Sequence, residues 1–167
     1  MLKVCLFEPE IPQNTGNIAR SCAATGTELH LVHPLGFDIS EKAVRHAGLD
    51  YWKDVKIVEY PSVERFFDEH ENDELYFFSQ KGARIYSDIR YDTKRDTYLI
   101  FGKESVGLDE NILRKYKDRV LRIPMKNNIR CLNLSNSVAV AIYDYYRKAN
   151  WDGFRTEGIL ASGKGEL

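Results

Sequence analysis

The chain has 167 residues, 43% of them hydrophobic, and sets 24 Lys and Arg against 25 Asp and Glu for a formal net charge of −1. That length suits one domain with a sizeable core, and the near-neutral balance excludes a protein that coats nucleic acid or membrane through bulk charge. No apolar run approaches the ~18 residues of a membrane span, and three cysteines, Cys5, Cys22 and Cys131, have neither disulfide nor metal-ligand spacing.

In chain order, residues 2–7 read as a buried strand and residues 8–15 as a polar turn region with two prolines. Glu8, Pro9 and Glu10 follow too soon for a secretory signal, so a cytoplasmic protein is expected. From Gly16 to Thr25 the apolar positions Ile18, Ala19, Cys22 and Ala23 recur at helical spacing, and Gly26 supplies a stop. Residues 28–32 are the next strand, residues 40–47 a short helix ended by Gly48, and residues 56–60 a strand. A helix follows over residues 63–70 with Ser62 as its cap. Residues 75–79 and 97–101 are short apolar strands around an irregular stretch, residues 109–114 a short helix, and residues 120–123 a strand. The longest helix spans residues 135–149, where Leu134, Val138, Ala141, Ile142, Tyr145 and Ala149 form one apolar stripe. Strands alternating with helices predict an α/β domain over residues 1–153, built on a mostly parallel sheet with helices on both faces. The glycines after Trp151 predict a flexible tail over residues 154–167.

Three polar segments interrupt this pattern. The first, Asn14-Thr15-Gly16-Asn17-Ile18-Ala19-Arg20, follows the first strand and places a guanidinium about one turn into a helix behind two asparagines. The spacing lacks the glycines and Lys-Ser/Thr of a phosphate loop. The second, Phe101-Gly102-Lys103-Glu104-Ser105-Val106-Gly107-Leu108, sits at the carboxyl end of a strand, where open α/β sheets take ligands. There Glu104 is either a surface anion or the partner of the Arg20 guanidinium. The third runs from Ile123-Pro124-Met125 to Asn133-Leu134-Ser135-Asn136-Ser137-Val138 and enters the last helix through amide and hydroxyl side chains. Met125 and Leu132 either contact an adenine ring or finish the core. His30, His33, His46 and His70 show no metal spacing, so no metal is expected. Arg114, Lys115, Lys117, Arg119, Arg122, Lys126 and Arg130 crowd one stretch opposed only by Asp118. That patch is either a solvated basic face or a phosphate contact.

Taken in order, these three segments resemble the signature motifs of the SPOUT class of RNA methyltransferases, in its SpoU-type 2'-O-ribose branch. The likeness runs from Leu2 to about Gly153 and is strengthened by residues 8–14, 34–37 and 48–51, which are similar to the minimal single-domain members acting on the wobble nucleotide of tRNA. The resemblance implies a C-terminal deep trefoil knot, which pattern reasoning alone would have rejected. It further implies a homodimer and S-adenosyl-L-methionine as cofactor, bound by Ser79, Phe101, Gly102, Ile123, Met125, Leu132 and Ser137. Carried over residue by residue, it makes Arg20, Asn14, Glu104, Ser135 and Asn136 the catalytic set. Lys103, Arg114, Lys115, Lys126 and Arg130 become the RNA contacts. The expected reaction is 2'-O-methylation of nucleotide 34, a cytidine or 5-carboxymethylaminomethyluridine, in leucine tRNAs. The same reaction on ribosomal RNA and a non-catalytic RNA-binding module are the alternatives. Lys103 stands where close relatives have proline, and Cys131 where serine is common. Tyr143 and Tyr146 face the core, a partner subunit or the RNA.

Overall fold

Long apolar runs without polar alternation require strands covered on both sides, and the computed structural model, which describes residues 1–39, 50–92, 94–126 and 131–158, builds them into one sheet. Its strands are β1 (Leu2–Phe7), β2 (Glu28–Val32), β3 (Ile57–Tyr60), β4 (Glu74–Phe78), β5 (Arg84–Ile85), β6 (Thr97–Phe101) and β7 (Val120–Arg122). They lie in the order β3-β2-β1-β6-β4-β7-β5, and each paired neighbour is parallel. The period-2 pleat divides the core cleanly. Leu2, Val4 and Leu6 of β1, with Tyr76, Phe78, Leu99 and Phe101, point to one face. Cys5 and Phe7, with Leu75, Phe77, Tyr98 and Ile100, point to the other.

The helices are α1 (Pro12–Thr25), α2 (Val63–Glu69), α3 (Glu110–Lys115) and α4 (Leu134–Lys148). The first face is covered by Ile18, Ala19 and Cys22 of α1 and by Val138, Ala141, Ile142 and Tyr145 of α4, the stripe read from the sequence. Phe66 of α2 and Leu113 of α3, flanked by Phe67, Ile112 and Tyr116, cover the second. Each large side chain so buried contributes roughly 1.5–3 kcal/mol. Ser62 caps α2 by accepting from the Arg65 N–H, and Gly26 ends α1 in the left-handed region at φ 66°.

One boundary differs in a way that matters. Helix α1 starts at Pro12, not near Gly16, because a proline in the first turn gives up an N–H that has no intrahelical partner and brings a φ already suited to the helix. Asn14 and Thr15, read as part of the turn region, are therefore buried helix residues. Within the stretch read as irregular lie the two-residue strand β5 and a single 3-10 turn, Tyr86–Asp88, both too short to show periodicity. The helix expected over residues 40–47 lies outside the described residues. Phe154, assigned to the tail, packs against Tyr146 and Trp151 with centroids 4.6 and 5.7 Å away, and the chain beyond residue 158 lies outside the described residues.

Candidate active site

Parallel strands deliver all their outgoing loops to one edge of the sheet, and the three polar segments meet there. Asn133 is the N-cap of α4: its Oδ1 accepts from Ser135 N at 2.9 Å, Ser135 Oγ at 2.6 Å and Asn136 N at 3.4 Å. With the oxygen committed to helix donors, Nδ2 must face outward, and it donates to Asn14 Oδ1 at 2.9 Å. Asn14 is 5% exposed, and its own Nδ2 donates to Glu104 Oε1 at 2.9 Å. Glu104 also accepts from the backbone N–H groups of Glu10 at 2.8 Å and Ile11 at 3.3 Å, just ahead of α1. The helix donors at one end and the carboxylate at the other thus set both amide orientations, and one polar line joins the start of α4, the start of α1 and the loop after β6. An anion at the head of α1 is also favoured by the helix dipole.

The loop carrying Glu104 is held from its other side by Glu10, whose carboxylate accepts from Ser105 N and Oγ, both at 2.9 Å. Those hydrogen bonds keep the Glu10 carboxyl below the usual carboxylate range. Lys103 pairs with Glu8, which raises the ammonium above its ordinary value. The loop doubles back tightly. Gly107 donates to the Lys103 carbonyl at 2.8 Å with φ at 76°, and a Cβ on Gly102 would stand 2.2 Å from the carbonyl carbon of Gly107. Beside it, on the α2 and α3 side, opens a cavity of about 520 Å³ bounded by Phe7, Glu8, Val63, Lys103, Leu108 and Ile112.

Of the residues expected to hold a cofactor, Ser79, Phe101, Gly102, Ile123 and Met125 lie at the ends of three adjacent strands, β4, β6 and β7, and Leu132 and Ser137 lie at the head of α4. Ser79 follows β4 and donates from its backbone to Leu121 O at 3.0 Å. Phe101 is 2% exposed and stacked on Phe78 at 4.7 Å, so only its backbone faces the edge. Ile123 and Met125 are half-buried and Leu132 is 38% exposed, an apolar surface beside polar strand ends. A flat nucleobase with hydrogen-bonding edges fits that donor set. Ser137 donates its hydroxyl to Asn133 O at 3.2 Å, which leaves the oxygen's lone pairs for a ligand.

Arg20 is exposed on α1 beyond Asn14. Glu104 meets Asn14, where the sequence offered Arg20 as its partner, because Asn14 sits in the first turn of α1 where the loop docks. Ser135 is buried with its hydroxyl on Asn133, so it secures the turn, and Asn136 is exposed beside it. Asn133 was visible only as the polar entry to a helix. Its place directly before the apolar stripe is the N-cap signal that points to it. Lys103 and Lys126 lie near this edge, whereas Arg114 and Lys115 are on α3, across the sheet from α1 and α4. Arg114 pairs with Glu110 at 3.2 Å, and the Lys115 ammonium lies 5.2 Å over the Tyr116 ring. Arg130 lies outside the described residues. Among the described residues, no group of His, Cys, Asp or Glu is placed to hold a metal ion.

A fully parallel sheet with this polar junction at its carboxyl edge accords with the SPOUT-type methyltransferase fold, a class known for a trefoil knot in its C-terminal part, and the comparisons place the chain there. Residues 1–143 match the SpoU rRNA methylase family, and the chain belongs to it. A Geobacillus stearothermophilus protein, provisionally named a tRNA (cytidine(34)-2'-O)-methyltransferase, is 47% identical over 153 residues, 91% of this chain and 98% of that one. A solved structure described as giving insight into the 2'-OH methylation of C/U34 on tRNA is 40% identical with a TM-score of 0.82, covering 90% of this chain and 97% of that one. The SpoU methyltransferase AviRb from Streptomyces viridochromogenes, in complex with the cofactor AdoMet, is 25% identical with a TM-score of 0.74, over 93% of this chain and 59% of that one.

Proposed function

We propose that the chain methylates the 2'-hydroxyl of nucleotide 34 in tRNA, using S-adenosyl-L-methionine, with leucine tRNAs carrying cytidine or 5-carboxymethylaminomethyluridine as its substrates. The observation that carries this reading is the hydrogen-bonded line from Glu104 through Asn14 to Asn133, which unites three segments at the edge where a nucleoside fits. Likeness to relatives named for nucleotide 34 supports the substrate. When bound, the cofactor supplies an electrophilic methyl group: the ribose oxygen forms a C–O bond as the C–S bond breaks, and the hydroxyl proton leaves to solvent or phosphate.

The chain's own contribution is alignment. Attack needs the oxygen about 3 Å from the methyl carbon and in line with the breaking bond, and such positioning is worth up to roughly 7–11 kcal/mol. The ordered loop from Gly102 to Gly107, pinned by Glu10, holds one wall of the pocket. Ile123, Met125 and Leu132 receive the adenine, with Ser79 and the Gly102 backbone at its polar edge. Arg20 orients the ribose and its phosphate and stabilises the charge that develops on the attacking oxygen. An arginine stays protonated at neutral pH, so it acts as a cation and donor and not as a base. Lys126, Lys103 and Arg130 meet the backbone of the anticodon loop, where unstacked nucleotides expose the 2'-hydroxyl. Arg114 and Lys115 reach phosphate only if the RNA passes round the sheet edge. The enzyme works as a cytoplasmic homodimer, and exposed Val140 and Tyr143 on α4 support an apolar contact with a second copy.

The test incubates purified protein with methyl-labelled cofactor and total tRNA, followed by nucleotide mapping. Label on the ribose of nucleotide 34 is expected, and Arg20→Ala should lower the single-turnover rate about a hundredfold with the fold intact. Label on another tRNA nucleotide, transfer only when ribosomal RNA replaces the tRNA, or RNA binding with no transfer would refute the assignment.

A further inference from the structure

The loop that carries Glu104 takes its position from Glu10, and Glu10 takes its own from the strand beside it. β2, β1 and β6 are neighbours in the sheet, so the segments leaving them stand side by side at the carboxyl edge. Glu8 N donates to Val32 O and Gly36 N donates to Pro9 O, both at 2.9 Å, so the first two strands stay joined past the end of the sheet. At Gly36 the two backbones come closer than a side chain would allow. A Cβ there would stand 2.8 Å from both Cα and O of Glu10 and 3.2 Å from its carbonyl carbon. Carbon atoms pack at about 3.5–4.0 Å, so a side chain here would push one backbone away by about 0.7 Å or more. The need is for space and not for an unusual φ, since Gly36 lies outside the left-handed region.

We infer that Gly36 is a positioning residue for methyl transfer: having no side chain, it lets the segment after β2 press against Glu10, and Glu10 hands that position to the loop of residues 102–107. The inference rests on the reaction proposed for this edge. Two links carry the position onward. The Glu10 backbone N–H donates to Glu104 Oε2 at 2.8 Å, and the Glu10 carboxylate accepts from Ser105 N and Oγ, both at 2.9 Å. Glu104 in turn accepts from Asn14 at 2.9 Å, so a shift at Gly36 reaches Asn14 through Glu10 and Glu104 alone.

The neighbouring residues are too well anchored to absorb such a shift. Leu35 and Ile39, on either side of Gly36, pack against the core. His33 is tied to β3, its N–H donating to Tyr60 O at 2.9 Å and its Nε2 lying 2.7 Å from Glu59 Oε2. Across the contact, Pro9 is buried and its ring fixes φ, which leaves the exposed Glu10 as the residue that moves. A misplacement of about 1 Å away from the reacting atoms costs about a hundredfold in rate.

The test combines single-turnover methyl transfer to tRNA with amide NMR on the full-length, nitrogen-15-labelled chain. Gly36→Ala should lower the transfer rate about tenfold or more. In the parent the Glu10 carboxylate draws the Ser105 amide proton downfield. In Gly36→Ala that signal should move upfield while the amides of Val4 in β1 and Leu29 in β2 stay in place. Glu10→Gln leaves the Gly36 contact intact and exchanges the charged acceptor for a neutral amide, so it should reproduce both the upfield shift and the loss of rate. A glycine that only eases the packing beside β2 would move neither Ser105 nor the transfer rate. In Gly36→Ala an unchanged Ser105 signal or a displaced Val4 or Leu29 signal would overturn the inference, as would parental transfer by either variant. A parent chain that transfers no methyl group to tRNA would overturn the reaction itself, and this inference with it, before any variant is made.

Discussion

Replacing Asn133 separates its two jobs. In Asn133→Ala the start of α4 loses the acceptor for Ser135 N and Asn136 N, a cap worth about 1 kcal/mol. Asn14 Oδ1, on a residue 5% exposed, loses its donor, and an unsatisfied buried acceptor costs about 1–3 kcal/mol. Because Asn133 itself is exposed, water offsets part of the second term, and the lower end of that range applies. The sum is about 2 kcal/mol, which for a domain of this size lowers Tm by roughly 4–8 °C. Asn133→Asp keeps the cap and improves its match to the helix dipole, but it sets a carboxylate oxygen against Asn14 Oδ1. It should therefore stay within about 2 °C of the parent Tm while its single-turnover methylation falls about tenfold or more, because Asn14 no longer has a reason to point at Glu104. Thermal unfolding and rapid-quench transfer assays read the two effects separately. An alanine variant that melts with the parent, or an aspartate variant with full turnover, would refute the role of the line.

Other perturbations follow the same geometry. Gly102→Ala puts a Cβ 2.2 Å from the Gly107 carbonyl carbon and 2.3 Å from Leu108 N, both backbone atoms, so the loop must shift. Calorimetry with S-adenosylhomocysteine should show at least about a tenfold loss of affinity, matching an overpacking cost of 1–3 kcal/mol, and unchanged affinity would remove this loop from the cofactor pocket. Lys126→Glu should weaken tRNA binding and reduce its salt slope by about one while leaving cofactor affinity alone; an unaltered slope would take Lys126 off the phosphate path. Burial holds His30 at about 4, below the ordinary value of about 6.5. Its neutral form therefore contributes stability in full above that ordinary value, and the contribution is lost as pH falls through about 4. Tm should decline across that acid window, and an imidazole signal for His30 titrating near 6.5 would show the site to be open to water.

The alternation of apolar runs with helical spacing was enough for a parallel α/β sheet, because burial on both faces leaves a mark at each strand. Thr97–Phe101 and the α4 stripe were legible for that reason. Helix α1 was read four residues short, since Pro12, Gln13, Asn14 and Thr15 look like a turn by composition, and only the docking of Glu104 and Asn133 explains why an asparagine is buried in a first turn. Likewise the residue types of the junction were visible, yet their pairing was not: Glu104 and Asn14 are separated by 90 residues of chain. Local propensity carries no information across that distance.

The amino-acid order by itself determined the layered sheet, the three polar segments and, through their succession, the likeness to RNA ribose methyltransferases. Tertiary structure alone decided that Asn133 is the hinge of the site, that Arg114 and Lys115 lie on the far face from it, and that His30 and His70 share one polar line. The physical reason is common to all three. A hydrogen bond or a shared face depends on where folded backbones converge, and that convergence is set by packing of the whole sheet, not by the neighbours of any residue along the chain.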